Sequence, residues 1–357
     1  MITERTVDVV VVGGGIAGAS CLHHLSAAGL ATTLVECEPD LGSHSTGRSA
    51  AVFAPGYGGP MNDTLCEESW AFLDSNGHGI SDTPLLAPRD LLFVSPAAPE
   101  HPNDELPGAE PIPIDEAVRL CPVLRPETLN AAVLHTGGRD IDVEALLQTF
   151  VRGARVTGGE ILRSAGAIGL VRYSDHWIVD IGTDQIRAEL VVNAAGAWAD
   201  QLNAMAGLAP NGVRSLKRTA FLAPTTATEP AADMMSWPMT IAADHSCYFK
   251  PDVPGVLLCS RSEETLVEPG EPDVEEIDVA AAIYRINELT TLELRSVHST
   301  WAGLRVFTDD RQPVLGPHPD DPTFLQCVGL GGTGVSTAPA VGARIAGAAL
   351  EQIGVPA

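Results

Sequence analysis

Residues 7–37, VDVVVVGGGIAGASCLHHLSAAGLATTLVEC, constrain the fold more than any other stretch. An apolar run at 9–12 enters a glycine turn. An amphipathic helix follows, then a second short strand at 32–35 that ends on Glu36. Gly13, Gly15 and Gly18 occupy the three glycine positions of the dinucleotide fingerprint. The first permits the tight turn, the second lets a pyrophosphate approach the backbone, and the third lets helix pack on strand. Ile16 and Ala17 open the helix, whose free N–H groups and positive dipole end suit phosphate oxygens. Glu36 stands where a carboxylate accepts hydrogen bonds from ribose hydroxyls, with Cys37 beside it. The motif predicts a dinucleotide and does not by itself separate FAD from NAD.

A chain of 357 residues is long for one core, so two intimately connected parts are expected. The net charge of −25 argues against nucleic acid or an anionic membrane as partner, since both repel such a surface. Acidic residues before 9–12 and glycines after it argue against an export signal or a membrane span. A soluble, cytoplasmic protein is expected. Seven cysteines, an odd number without a CxxC, predict reduced thiols, with Cys21 and Cys37 as core packing and no metal centre. Lys217 and Lys250 are the only lysines, which fits either genome composition or a salt-rich cytoplasm.

Further along, residues 39–48 are polar and glycine-punctuated, and 49–53 are expected to open a helix that offers a diphosphate a second set of N–H groups. Arg48 would meet a phosphate or form a surface salt bridge. Gly56, Gly58 and Gly59 around Tyr57 look like a hinge carrying a cover. Helices are expected at 62–73, 115–120, 142–154 (capped by Asp140 or Asp142) and 199–206, a strand at 91–94 and a surface loop at 95–113. Strands at 160–163, 167–173, 177–181 and 186–192 follow. The last runs into Asn193, Ala194, Ala195 and Gly196, small enough for a ligand to come close. Residues 212–260 alternate strands with proline-rich joins and read as a second domain on an antiparallel sheet. Residues 274–292 read as an amphipathic helix whose stripe of Ile277, Ala281, Tyr284 and Glu288 faces the core. Strands at 299–307, 311–316 and 323–328 would return the chain to the first domain. The turn at 329–334 then opens a helix at 335–352, either as a positive end facing an electron-rich cofactor group or as a plain glycine hinge.

Five blocks occur in order: GGGIAGAS, HSTGRSAA at 44–51, NAAGAW, TWAGLR and GLGGTGVST. Together, over residues 7–350, they resemble the D-amino-acid oxidase superfamily of FAD enzymes. YFKP at 248–251 adds to a likeness closest to the D-arginine dehydrogenase branch. The resemblance implies an α/β fold. A Rossmann-like FAD-binding domain would take residues 1–90, 140–211 and 299–357. An inserted α+β substrate domain on a large antiparallel sheet would take 91–139 and 212–298. It implies noncovalent FAD, with Glu36 at the adenosine ribose, Ala167 near the adenine, and Ala195 and Gly196 along the cofactor. His44, Ser45, Thr46, Arg48, Ser49, Ala50 and Ala51 would cover the diphosphate and reach towards the flavin. Gly331, Gly332, Thr333, Gly334, Val335 and Ser336 would face the pyrimidine side of the isoalloxazine.

By the same resemblance Arg218, Arg305 and Tyr248 bind a substrate carboxylate, and Tyr57 closes over it. Two positions depart from the branch: Leu91 stands where it has a glutamate that grips a guanidinium, and Val52 where it has a histidine. An apolar Leu91 cannot compensate a buried cation, and strand alternation turns Asp90 to the other face. A D-amino acid with a neutral or apolar side chain is therefore the expected substrate. It would be oxidised at Cα–N to an imino acid that hydrolyses to a 2-oxo acid and ammonia, with oxygen and a quinone both open as final acceptor. The alternatives are oxidation of a secondary amine or biosynthetic intermediate, as in glycine and sarcosine oxidases, and, further off, an inactive FAD-binding protein.

Overall fold

The computed structural model describes residues 4–96, 107–225 and 234–354. Strand Glu4–Val12 lies inside an eight-stranded sheet, paired in parallel with Thr32–Val35 on one side and Gln185–Asn193 on the other. Its valines alternate. Val9 and Val11 pack with Cys21, Leu22 and Leu25 of helix Ile16–Ala27; Val10 and Val12 pack on the opposite face with Trp177, Val179 and Phe324. Both faces are covered, which is why the strand reads as an unbroken apolar run. Glu160–Leu162 and Phe324–Val328 extend the parallel part, and antiparallel strands Gly169–Arg172, Trp177–Asp180 and Val314–Pro317 finish the sheet. Helix Val143–Val156 is capped by Asp142, whose Oδ1 accepts from the Ala145 N–H at 2.8 Å.

The second sheet has nine strands. Arg214–Pro224, Val256–Ser260, Tyr248–Val253, Met239–Ala242, Leu91–Ser95 and Ala131–His135 follow one another across it. Every pairing is antiparallel except that of Met239–Ala242 with Leu91–Ser95. One face carries Leu92, Val94, Phe221, Phe249 and Cys259 against helices Ile114–Leu120 and Glu276–Leu289. The other face is turned towards the first sheet.

Several expectations change. Ser299–Phe307 does not return to the first sheet; it pairs along its whole length with Arg214–Pro224 and joins the second. Residues 49–53 open no helix: Ala51 takes a φ of 57°, and Val52–Phe53 form a strand against Arg139–Ile141. The β-branched valine and the aromatic prefer that pleat. Residues 311–313 precede the strand Val314–Pro317, with Arg311 in a turn at φ 59°. In Glu276–Leu289 the buried stripe is Val279, Ala282, Ile286 and Leu289, whereas Ile277 and Tyr284 are exposed. The expected loop at 95–113 falls mainly on residues outside those described, although Glu110–Pro111 forms a short strand. Among the described residues no helix is long and apolar enough to cross a membrane.

Both lysines are buried in ion pairs. Lys217 binds Glu275 at 2.8 Å and Asp278 at 3.0 Å. Lys250 binds Asp140 Oδ1 at 2.7 Å, and Arg89 Nε binds Asp140 Oδ2 at 2.8 Å. Asp140 lies in a three-stranded sheet of Val52–Phe53, Arg139–Ile141 and Leu86–Pro88; it therefore ties that sheet to the nine-stranded one and serves two buried cations at once. Replacing it takes this carboxylate from both, although Arg89 keeps its bonds to the Met235 and Trp237 carbonyls, and a buried charge that loses its partner is costly. Asp140→Ala is expected to lose about 3–5 kcal/mol in chemical denaturation; a loss below about 1 kcal/mol would match an exposed pair instead.

Candidate active site

A cavity of ≈ 950 Å³ opens between the two sheets. Val12, Val35, Ala194 and Val328 line it, so it meets the first sheet at the carboxyl ends of its parallel strands, where α/β sheets bind ligands.

The three fingerprint glycines do different things. A Cβ on Gly13 would lie 2.4 Å from the Ala194 carbonyl oxygen, and one on Gly18 only 1.9 Å from that of Gly13. A Cβ on Gly15 would meet nothing closer than Thr46 Oγ1 at 3.4 Å and would project into the cavity. Gly13 and Gly18 thus close the turn, and Gly15 leaves room for a ligand. Helix Ile16–Ala27 starts at Gly15 without a cap from that residue, though the Ile16 N–H donates to Thr46 Oγ1 at 3.0 Å. Glu36 is buried. Its Oε2 accepts from the Gly14 N–H at 2.5 Å, and its Oε1 from the Glu38 N–H at 2.8 Å and Cys37 Sγ at 3.1 Å. Cys37 is exposed and lines the cavity rather than packing in the core, while Cys21 is buried as expected. Partial desolvation of its thiol, with Glu36 beside it, pushes the Cys37 pKa up to about 11.

The 44–51 segment lies along the same cavity. His44 packs against Trp198 with ring centroids 4.7 Å apart and ring planes tilted by 54°, and the Ser45 hydroxyl donates to the Leu304 carbonyl at 2.6 Å. Arg48 pairs with Glu271 and donates to the Ala302 carbonyl at 2.8 Å while still lining the cavity. Ser49, Ala50, Ala51, Ala167, Ala195 and Gly196 line it too. No helix opens near residue 49, whereas the helix expected after the turn at 329–334 is present as Gly334–Ile353, again without a side-chain cap. Gly331, Gly332, Gly334 and Val335 line the cavity there. Gly18, Thr333 and Ser336 do not. The Thr333 hydroxyl donates to Asn62 Oδ1 at 2.8 Å and that of Ser336 to the Val52 carbonyl at 3.1 Å, so both brace the turn from behind. An uncrowded glycine turn between two open helix N-termini fits an extended diphosphate-bearing cofactor.

The opposite wall follows from strand register. Leu91 pairs with Met239, Phe93 with Ile241 and Ile241 with Tyr248. Tyr248 pairs with Ser260, Ser260 with Ala220, Arg218 with Gly303 and Leu216 with Arg305. Side chains alternate along a strand, so this series shares one face. Arg218 and Arg305 are diagonal neighbours on adjacent strands at one end, and Leu91, Phe93, Met239 and Ile241 form an apolar wall at the other. Val52 joins the apolar group. Arg218 Nε donates to the Glu263 carbonyl at 2.8 Å. Burial, with Arg305 nearby, pulls the Arg218 pKa down from the usual arginine value. Arg305 Nη1 is buried without a hydrogen-bond partner among the described residues. Gly332 gives it space: a Cβ there would sit 3.2 Å from that nitrogen and 3.5 Å from the Tyr57 ring. Tyr57 is 37% exposed between three glycines of positive φ. Asp90 does not line the cavity.

Phe93, Met239, Ile241, Glu264 and Arg311 also line the cavity and carry no sequence motif. Period-2 spacing marks 91/93 and 239/241 as facing pairs only once their strand partners are known.

The parallel sheet with its two helix ends and the arginine-bearing sheet opposite place a groove suited to a dinucleotide beside a cationic pocket. The chain belongs to the FAD dependent oxidoreductase (DAO) family, whose match spans residues 8–348. Glycine oxidase of Bacillus licheniformis is 25% identical over 96% of this chain and 93% of its own length. Two solved structures share the fold: glycine oxidase from Geobacillus kaustophilus (TM-score 0.84, 20% identity, 97% of this chain and 95% of that one) and L-proline dehydrogenase from P. horikoshii (TM-score 0.84, 21% identity, 99% and 95%). The protein is thus an FAD-dependent oxidoreductase.

The glycines give a paired test. Gly15→Ala should leave the apoprotein's thermal midpoint near wild type while weakening FAD about tenfold, or roughly 1.4 kcal/mol. Gly18→Ala should lower the apoprotein midpoint itself. Equal flavin content in Gly15→Ala and wild type after gel filtration would contradict the assignment.

Proposed function

We propose that the protein oxidises the Cα–N bond of an amino acid with an uncharged, apolar side chain, of the D series by its sequence resemblance. The observation that carries this is the buried, unpartnered Nη1 of Arg305 beside Arg218 and Tyr248, with an apolar wall on the same sheet face. A guanidinium fork matches a carboxylate two-pronged, so this end takes the α-carboxylate. The side chain then points at Leu91, Phe93, Met239 and Ile241. Tyr57, on its glycine loop, closes over the bound molecule and excludes water.

When bound, FAD supplies the two-electron acceptor for the hydride leaving Cα. The protein contributes orientation. Arg218, Arg305 and Tyr248 fix the carboxylate and thereby the direction of the Cα–H bond. Val52 and Leu91 offer the amine no proton acceptor, so it reacts as the neutral form, its proton already lost to water. The resulting iminium is hydrolysed by water to a 2-oxo acid and ammonium.

A second reading, oxidation of a secondary amine, uses the same clamp. It is favoured by the likeness to L-proline dehydrogenase, whose named substrate is a secondary amine, while the likeness to glycine oxidase fits either reading.

Anaerobic flavin bleaching with single amino acids distinguishes the two. D-leucine, D-methionine and D-phenylalanine are expected to outrun D-arginine and D-lysine. Preference for the cationic pair would refute the apolar subsite, and bleaching by N-methyl amino acids alone would select the second reading. Arg218→Ala should raise KM about 100-fold, roughly 3 kcal/mol of lost charge-assisted binding.

A further inference from the structure

Glu264 lines the cavity beside Arg218 without belonging to the clamp. Its two oxygens accept from Arg311 Nη1 at 3.0 Å and Nη2 at 2.8 Å. The oxygen held at 2.8 Å is also 3.5 Å from Arg218 Nη2, too far for a good fork. Arg311 is fixed from below, its guanidinium 3.8 Å from the centroid of the Phe307 ring. The chain around Glu264 is fixed as well: the Glu263 carbonyl accepts from Arg218 Nε, and the Glu263 carboxylate from the Thr219 N–H at 2.5 Å. Arg311 and Ser262 both sit at positive φ, at 59° and 66°, so the pair bridges two turns at the cavity.

We infer that Glu264 is a built-in competitor for the carboxylate-binding face of Arg218, and that Arg311 is the positioning residue that holds it off. The inference rests on the carboxylate clamp proposed above. A carboxylate within reach of a buried guanidinium gains most by closing to a two-pronged contact. Arg311 takes that contact instead. Arg218 is left with a partial counter-charge that limits the cost of its burial, and with N–H groups still open to an incoming carboxylate. Glu264 also offsets one of three arginine charges around the site, which lowers affinity for any anion.

The test measures binding of isovalerate, a carboxylate with an apolar tail and no amine to oxidise, to the FAD-loaded enzyme by calorimetry, alongside KM and kcat for the preferred amino acid. Glu264→Gln keeps the shape, removes the charge and should tighten isovalerate about 3-fold. Arg311→Gln frees Glu264 to close on Arg218 and should weaken it about 10-fold, with KM rather than kcat carrying the change. With Gln already at 264, the same Arg311 substitution should cost less than about 3-fold, and this non-additivity is the signature. If Arg311→Gln does not retain FAD, Arg311→Lys carries the test, since a point charge gives up the two-pronged grip and should show an intermediate loss. Equal losses from the Arg311 substitution in both backgrounds, or weaker binding in Glu264→Gln, overturn the inference. Arg218→Ala separates it from the reading beneath. Unchanged isovalerate binding there removes the clamp and the competitor together. Weakened binding there, without coupling between 264 and 311, removes the competitor alone.

Discussion

Two largely enclosed guanidinium groups, Arg218 and Arg305, lie as diagonal neighbours on one face of a sheet, and the rest of the cavity answers to that arrangement. Like charges repel, and burial strips each of water. The Glu263 carbonyl satisfies one N–H of Arg218, and Glu264 stands near enough to temper its charge. Arg305 Nη1 finds no acceptor among the described residues. A fold can carry such a donor at low cost only if a ligand completes it, which makes a carboxylate the natural third party. The same logic explains Gly332, because any side chain there would crowd the nitrogen that has to stay open.

Charge and apolar surface share one face because of a regular pleat. Antiparallel pairing carries the face from Tyr248 through Ser260 and Ala220 to the arginines, and a single parallel pairing extends it the other way to Leu91 and Phe93. A slip of one residue in any strand would turn its contribution into the opposite core, where Leu92, Val94, Phe221 and Phe249 are packed. The spacing between the arginines and the apolar wall is therefore fixed by the hydrophobic core behind the sheet. The Asp140 contacts to Arg89 and Lys250 support the same frame from its edge.

The cofactor end was legible in the sequence because its information is local. Gly13, Gly15, Gly18 and Glu36 sit within one strand–turn–helix–strand unit, and the turn at 329–334 adjoins its own helix. The failures were equally physical. The small residues at 49–51 suggested a helix, but Ala51 at positive φ and the pairing of Val52 with Asp140 settle on a strand. Residues 299–307 looked like a return to the first sheet, since nothing local tells a strand which neighbour it will find. On Glu276–Leu289 the spacing of Ile277 and Tyr284 was correct for a stripe but picked the solvent face, because Val279, Ala282 and Ile286 define another of the same period. At the substrate end the arginines and tyrosines came from family resemblance, whereas Met239, Ile241, Glu264 and Arg311 reach the cavity only through long-range pairing and turns.

This division has a consequence for how specificity can change. Leu91 is 2% exposed and packs within a cluster containing Val133, Met239, Tyr248 and Leu258. An acid at that position would lose its hydration, and burial would raise its pKa unless a cation arrived to pair with it. Residue 91 and the substrate side chain therefore have to match as one buried unit, either both apolar or oppositely charged. The glycine turns, the two helix ends and the arginine face do not depend on which match is made. On the proposed reading, substrate choice can thus move along one sheet face while the cofactor site and the arginine pair stay in place.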